Sequence, residues 1–546
     1  MSEPAHAPRR AAFTGPLPLI LLDRASTNPA RTYLEDVSGR QVSYAEFLAL
    51  VGKYMTHLWR LGVGPGDRVA VLMPQGIDAH AVWLAIVWLG GWEVPVNIEF
   101  HGDMLAYLMA DAKARIAVVA PDLAGALARI ANRLEHLQSI LVTDPSFGGH
   151  SYDFGRASVS CFDAGVDAHA DVRLAPSIGD GDVATVIYTS GTTGPSKGVL
   201  VPWGEFYTAL DIYGCRKDGS DVLYTPFPIN HLSGKVPIYD MAALGGKAVL
   251  RRRFSVGEFW SDVRSHGCTA TILLGGTAAF LANQPAAPTD RDHGMRNVVM
   301  VPVMDDYQAF AERFSLSIMT IYGMSECGWP FMSPPTGLAN ARSCGRLRDG
   351  WHVRIVDAAG IDVPVGDAGE LLVRCDQPHA LMRGYLDRPE ATQNALRDGW
   401  FHTGDAFRAD VDGNYYFVDR LKDAIRRRGE NISSFEVETL ALKYPQLGEC
   451  AAVAVPAETG EDEIKLVCTG RDGQAVDLEG LARFCAEQMP GFMVPRYFEQ
   501  LPALPYTPTN KVQKTALRAT GIGNAWDRLL HRATVPQDKN ASTNRR

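Results

Sequence analysis

An apolar run, Val183-Ala184-Thr185-Val186-Ile187, leads straight into Tyr188-Thr189-Ser190-Gly191-Thr192-Thr193-Gly194-Pro195-Ser196-Lys197-Gly198. A strand that opens into glycines, hydroxyls and one lysine has the composition of a phosphate cradle. Gly191, Gly194 and Gly198 let backbone N–H groups approach an anion closely, and Thr189, Ser190, Thr192, Thr193 and Ser196 add hydroxyl donors. Lys197 supplies the positive charge. A Ser/Thr/Gly run by itself reads as a flexible surface loop. The strand-like lead-in and the lysine at the end favour phosphate binding instead. A Walker loop needs four residues between its glycines and then Gly-Lys-Ser/Thr. This spacing does not match, so a nucleotide is expected in a fold other than that of the P-loop NTPases.

At 546 residues the chain is too long for one core, and two or more domains are expected. Its net charge of −9 argues against nucleic acid or an anionic membrane as the main partner. The nine cysteines are scattered singly, without a Cys-x-x-Cys pair, which fits a reducing cytoplasm better than a zinc or redox site. Residues 1–14 hold Arg9 and Arg10 but no long apolar run, so no secretory signal is expected. The apolar segment Ala79 to Leu89 is too short to span a bilayer.

Helical and strand-like patterns alternate along the chain. Ser43 and Glu46 form a capping box ahead of an amphipathic segment, Gly64-Pro65-Gly66-Asp67 makes a turn, and Arg68 to Met73 reads as a buried strand. A helix over Ile77 to Leu89, a strand over Glu93 to Val96, a helix near Met104 to Ala110 and a strand over Ile116 to Ala120 continue the βαβ rhythm of a parallel, helix-covered sheet. The rhythm resumes with strands at Val222 to Thr225, Ala248 to Leu250, Thr269 to Leu274 and Ser317 to Ile321. From Gly345 on, short alternating strands take over, and a compact α+β segment begins near Leu421. The expected fold is therefore α/β, with a large N-terminal domain of mostly parallel sheets and a smaller α+β domain after it. The polar end of the chain reads as disordered.

Further motifs follow the glycine-rich run: Tyr322-Gly323-Met324-Ser325-Glu326, Gly399-Trp400-Phe401-His402-Thr403-Gly404-Asp405, Asp419-Arg420-Leu421-Lys422-Asp423, Arg428-Gly429-Glu430-Asn431-Ile432 and Thr509-Asn510-Lys511-Val512-Gln513-Lys514. In this order and spacing they resemble the adenylate-forming (AMP-binding) superfamily, which includes acyl-CoA synthetases, carrier-loading adenylation domains and firefly-type luciferases. The resemblance spans roughly Ser43 to Arg518 and rests on the ordered set of motifs. It implies an N-terminal domain over 15–420 that includes a small β-barrel-like subdomain, a mobile C-terminal lid over 421–520 and a tail over 521–546.

The resemblance also implies roles. Tyr322, with a flat ring, is expected to stack on adenine beside Gly323. Ser325 would bond the α-phosphate, while Glu326, together with Thr189, would hold Mg²⁺ on ATP. Asp405 corresponds to the carboxylate that accepts the ribose hydroxyls and Arg420 to an arginine that contacts the ribose. Lys422 matches the hinge on which the lid swings between two poses. Lys511 would stabilise the charge that builds as the carboxylate attacks phosphorus. Asn510 stands where the family usually has glycine. Arg428, Gly429 and Glu430 would line a tunnel for the pantetheine arm of coenzyme A.

His231, in Asn230-His231-Leu232-Ser233-Gly234, matches a Phe-His-x-x-Gly segment of acyl-CoA synthetases, with asparagine in place of the aromatic. No aspartate stands where amino-acid-activating domains place one. Val301-Pro302-Val303-Met304 replaces the usual adenine loop, and this, with the motifs around Arg420 and Gly429, is most similar to the crotonobetaine/carnitine–CoA ligase group. The implied reaction is ATP-dependent ligation of a carboxylic acid to coenzyme A through an acyl-adenylate. Alternatives are a stand-alone loader of a carrier protein and a non-catalytic nucleotide-binding homologue. The implied partner is a small-molecule acid, without nucleic acid or membrane insertion, in a cytoplasmic protein whose homodimerisation stays open.

The acid pocket is expected between Trp203, Phe206 and Tyr207, the segment His231 to Lys235, the turn at Gly276, and Trp329. Two placements of Lys235 are open: its ammonium snorkels to water, or it faces the pocket. In the pocket it would disfavour a cationic betaine, because an unpaired buried ammonium is costly, and would favour a bulky or polar-substituted acid.

Overall fold

The computed structural model describes residues 14–147, 152–174, 176–189, 196–334, 337–420, 425–427, 430–432, 434–456, 462–489, 491, 493–506 and 511–531. Two helix-covered sheets organise the first part of the chain. One has five parallel strands in the order Trp92–Pro95, Arg68–Leu72, Ile116–Val119, Ser139–Val142, Ser158–Cys161. The other has seven, running from Ser317–Met319 through Asn297–Val301, Ala270–Leu274, Val222–Thr225 and Lys247–Leu250 to Thr32–Asp36, all parallel, with Gln41–Ser43 added antiparallel at its edge. The capping box is present: Ser43 accepts from the Glu46 N–H and Glu46 accepts from the Ser43 N–H, opening helix Tyr44–Arg60.

Helix Ile77–Trp88 is buried on every side except at Asp78. The reason is its position, packed between strands of both parallel sheets and the strand Val183–Thr189. Its Trp83 donates its indole N–H to the Ala184 carbonyl at 2.7 Å, which satisfies the one polar atom of that large side chain. Among the described residues no helix is long and apolar enough to cross a membrane.

The helix Leu232–Leu244 is likewise buried almost throughout, although it contains Pro237. A proline there cannot donate to the Ser233 carbonyl one turn back. The Thr225 hydroxyl donates to that carbonyl at 3.3 Å instead. Gly234 allows the helix start to press against the preceding turn, since a Cβ would lie 2.2 Å from the Pro228 carbonyl oxygen.

An eight-stranded antiparallel sheet follows, its path running from Ile321–Met324 through Gly328–Met332, Ser343–Leu347, Asn414–Arg420, Trp400–Ala409 and Gly369–Cys375 to Trp351–Val356. The C-terminal α+β part has its own apolar cluster around a four-stranded sheet, Leu447–Pro456, Asp462–Gly470, Tyr497–Gln500 and Trp526–Asp527. In the last of these strands Trp526 pairs with Phe498 and packs on that cluster.

Candidate active site

Strands Val183–Thr189 and Lys197–Pro202 form an antiparallel hairpin in which Thr189 stands opposite Lys197. Ser190, Gly191, Thr192, Thr193 and Gly194 lie outside the described residues. Where the hairpin re-enters, the Tyr107 hydroxyl donates to the Ser196 carbonyl at 3.0 Å. At its other side the Thr189 hydroxyl donates to Glu326 Oε1 at 3.4 Å, and the Tyr385 hydroxyl donates to the same oxygen at 3.3 Å. The Lys197 ammonium lies 5.2 Å from the centre of the Tyr385 ring. Glu326, buried at 7% exposure, thus joins the hairpin to the turn after Tyr322.

Tyr322 and Gly323 lie in strand Ile321–Met324, where a Cβ on Gly323 would meet the Gly328 carbonyl oxygen at 2.3 Å. Glycine is therefore needed for the tight return to Glu326. The Tyr322 hydroxyl donates to Asp405 Oδ2 at 2.7 Å, and its ring packs edge-on against Phe407. Asp405, in turn, receives its backbone position from Thr403, whose hydroxyl accepts from the Asp405 N–H at 3.0 Å. Arg420 pairs with Asp405 across the strands, so its backbone stands beside that carboxylate. Two expected nucleotide contacts, for base and ribose, are thus hydrogen-bonded to one another.

His231 precedes helix Leu232–Leu244 in extended conformation. Burial, and then the ammonium of Lys511, hold its imidazole below the ordinary value, so the ring is neutral at pH 7. The charge of Lys511, from the C-terminal part, therefore reaches His231. Helix Ser434–Ala441 of the C-terminal part is tied to the end of the antiparallel sheet through Asp419, which accepts from the Ser434 N–H at 2.6 Å and hydroxyl at 2.7 Å. Lys422, Arg428 and Gly429 lie outside the described residues. Glu430 has only its backbone described, in strand Glu430–Ile432.

A cavity of about 180 Å³ opens beside His231 and Ser325, with Tyr213, Val236, Ile272 and Trp329 in its wall. Of the residues expected to line an acid pocket, His231 and Trp329 are in this wall, and Gly276 is exposed at the start of helix Gly275–Ala282. Trp203, Phe206 and Tyr207 are not in it, and Phe206 packs on Trp203 in the core. Trp203 is fully buried and stacked on Trp83 at 5.7 Å, while Tyr207 donates its hydroxyl to Asp180 at 2.6 Å.

Lys235 neither snorkels nor faces the cavity. It is 0% exposed, bonds Glu93 at 2.7 Å and stands 4.0 Å over the Trp83 ring, while Thr185 donates to the same carboxylate at 2.7 Å. Burial pushes the Lys235 amine down and the Glu93 carboxyl up, and their contact opposes both shifts. The argument against a betaine built on Lys235 therefore falls.

Sequence reasoning missed two residues at the site. Tyr385 reaches Glu326 from a segment fixed by the Arg68 and Lys113 ion pairs to Asp387, at 2.8 and 2.9 Å. Glu205, fully buried, accepts the Gly328 N–H at 3.2 Å, and burial together with Glu326 raises its carboxyl well above the ordinary range. A lone acid inside the apolar run Trp203-Gly204-Glu205-Phe206 was the available signal.

The sequence pattern of the AMP-binding enzyme family matches residues 21–386 and that of the AMP-binding enzyme C-terminal domain matches residues 436–511. The chain belongs to this family and is an AMP-forming ligase. It is 28% identical over 496 residues to crotonobetaine/carnitine–CoA ligase of Salmonella paratyphi B, covering 88% of this chain and 93% of that one. The fold is similar to ATP-bound MatB from Rhodopseudomonas palustris (TM-score 0.76, 25% identity, 92% of this chain and 98% of that chain). It is also similar to the amide bond synthetase McbA from Marinactinospora thermotolerans (TM-score 0.74, 24% identity, 92% and 99%).

Proposed function

We propose that this chain activates a small carboxylic acid with ATP and passes the acyl group to coenzyme A. A carboxylate oxygen bonds to the α-phosphorus and the bond to pyrophosphate breaks, giving an acyl-adenylate. The thiol of coenzyme A then forms the thioester, its proton leaves, and AMP departs. Tyr322 stacks on adenine, Asp405 and Arg420 hold the ribose, and Ser325 meets the α-phosphate. Thr189 to Gly194 and Lys197 cradle the outer phosphates. The observation that supports this reading is that the charge of Lys511 reaches His231, at the cavity edge next to Ser325.

With His231 neutral, Lys511 is the cation positioned there to offset charge gathering on the α-phosphate. A carboxylate beside a hydroxyl, both hard oxygen donors, fits Mg²⁺ carried on nucleotide phosphates. Glu326 and Thr189 would hold it, and it would neutralise phosphate charge. Lys422 acts as the hinge, and Arg428, Gly429 and Glu430 form the thiol path.

Pyrophosphate release over a panel of acids tests the first step. Adding coenzyme A, a phosphopantetheinylated carrier or an amine separates the three acyl acceptors, and thioester formation with free coenzyme A is expected. Lys511→Ala should slow adenylation by about 10²–10³-fold. It should leave thioester formation from supplied acyl-adenylate intact. Equal loss of both steps would refute the role given to Lys511.

A further inference from the structure

The helix Leu232–Leu244 floors the acid cavity with Leu232 and Val236, and the next residue on that stripe, at the same four-residue spacing, is Asp240. Asp240 is 1% exposed, and its Oδ1 is fully buried without a hydrogen-bond partner. No side-chain hydrogen bond or ion pair to Asp240 is present among the described residues. Its charged and titratable neighbours are Tyr213, Cys215, Tyr239, Arg348 and Asp211, of which Tyr213 belongs to the cavity wall. Tyr213 borders the cavity and feels the Asp240 carboxyl directly. Arg348, whose field reaches Asp240, spends its guanidinium on the carbonyls of Thr208, Leu210 and Trp329, and Trp329 is itself a wall residue. Asp211 adds a second acid nearby. Asp240 is not itself in the wall: it lies one helical turn beyond Val236, next to Tyr213, in the direction away from His231.

A buried carboxyl with no partner is costly compared with a hydrophobe of the same shape. Glu205, the other buried acid with an orphan oxygen near the site, differs because its second oxygen accepts the Gly328 N–H. Asp240 has no such internal bond. We propose that Asp240 is a specificity residue at the far end of the acid pocket, and that the acid carries a hydrogen-bond donor, a hydroxyl or an amine, at the end remote from its carboxylate. This deepens the ligase reading and rests on it for the placement of the acid. A site built to receive a donor discriminates against an analogue lacking it, because the carboxyl is then left unpaired.

The experiment compares matched acids in ATP-dependent pyrophosphate release: 6-hydroxyhexanoate and 6-aminohexanoate against heptanoate, and 4-hydroxybenzoate and 4-aminobenzoate against 4-methylbenzoate. Wild type is expected to favour a donor-bearing member of at least one set by about tenfold or more in kcat/KM. Asp240→Leu should erase or invert that ratio, and Asp240→Asn, which keeps an acceptor oxygen and the side-chain shape, should retain part of it for the hydroxy acid. If Asp240→Leu does not fold, loss of the amino-acid preference in Asp240→Asn carries the test. Thermal stabilisation by the same acids in the presence of AMP reads the pocket without turnover. If no acid releases pyrophosphate but these shifts follow the donor and depend on Asp240, the ligase reading fails and the pocket assignment stands. An unchanged ratio and unchanged shifts in Asp240→Leu, or a preference for the methyl-ended acid in both sets, would overturn the proposal.

Discussion

Lys235 and Asp240 leave the same helix, are almost equally hidden from solvent, and differ in what surrounds them. The lysine has a carboxylate, a hydroxyl shared through that carboxylate, and an aromatic face. The aspartate has an orphan oxygen. A buried charge whose every need is met within the fold holds strands and helices together. A buried acid left without a partner is where a ligand can supply what the protein withholds. The comparison moves the acid's recognition group from the lysine to the aspartate, away from the Glu93 side of the helix and toward the Tyr213 side.

The largest expected effect tests the partnered half. Lys235→Met would strand Glu93 in the core, and removing one partner of a buried pair costs about 3–5 kcal/mol. Urea denaturation should show that loss, and Glu93→Gln combined with Lys235→Met should recover most of it. The preference among acids should not move. A cost below about 1 kcal/mol would mean that Glu93 finds water or another partner, and the pair would no longer be the lock between helix and sheet.

Asp240→Leu tests the other half with the opposite sign. Removing a buried, unbonded polar group is expected to raise stability by about 1–3 kcal/mol. Burial and Asp211 raise the Asp240 carboxyl well above its ordinary value of 3.8. The folded chain therefore keeps a proton that the unfolded chain releases as pH climbs past that value, so this residue's contribution falls with rising pH up to its folded pKa. The gain from Asp240→Leu should be larger at pH 8 than at pH 5. Subtracting wild type cancels the other raised carboxyls, Glu93 and Glu205. A variant less stable than wild type at both pH values would show that the carboxyl is bonded in solution, and the contrast between the two residues would be lost.

Much of this was legible in the chain because it depends on local order. The capping box, the buried strand Arg68–Leu72 and the passage to antiparallel strands after Gly345 follow from spacing and alternation. The glycine-rich run and the Tyr322 to Glu326 motif could be read for the same reason. The partners could not. Glu93 lies 142 residues from Lys235 in sequence, and no pattern around either residue names the other. Trp203 was read as pocket lining because it follows the hairpin, yet packing against Trp83 turned it into the core. Asp240 escaped notice because its meaning lies in a bond that is missing.

The smallest effect concerns the third titratable group of this helix, at its opposite end. His231 is held below its ordinary value of 6.5 by burial first and by Lys511 second. Unlike Lys235 and Asp240, it depends in part on a residue that arrives from the lid. Its unfolded form takes up a proton at higher pH than the fold does, so His231 withdraws stability as pH falls below about 6.5, and the neutral ring needed beside Lys511 is lost further down. A histidine-resolved NMR titration should find His231 below the ordinary range in wild type and moved upward, toward 6.5, in Lys511→Met. The shift should be partial, because burial remains after the ammonium is gone. A titration identical in the two proteins would mean that Lys511 does not stand beside His231 in solution. The lid pose described for the adenylation step would then be wrong, while the paired and unpaired groups deeper in the helix would keep their roles.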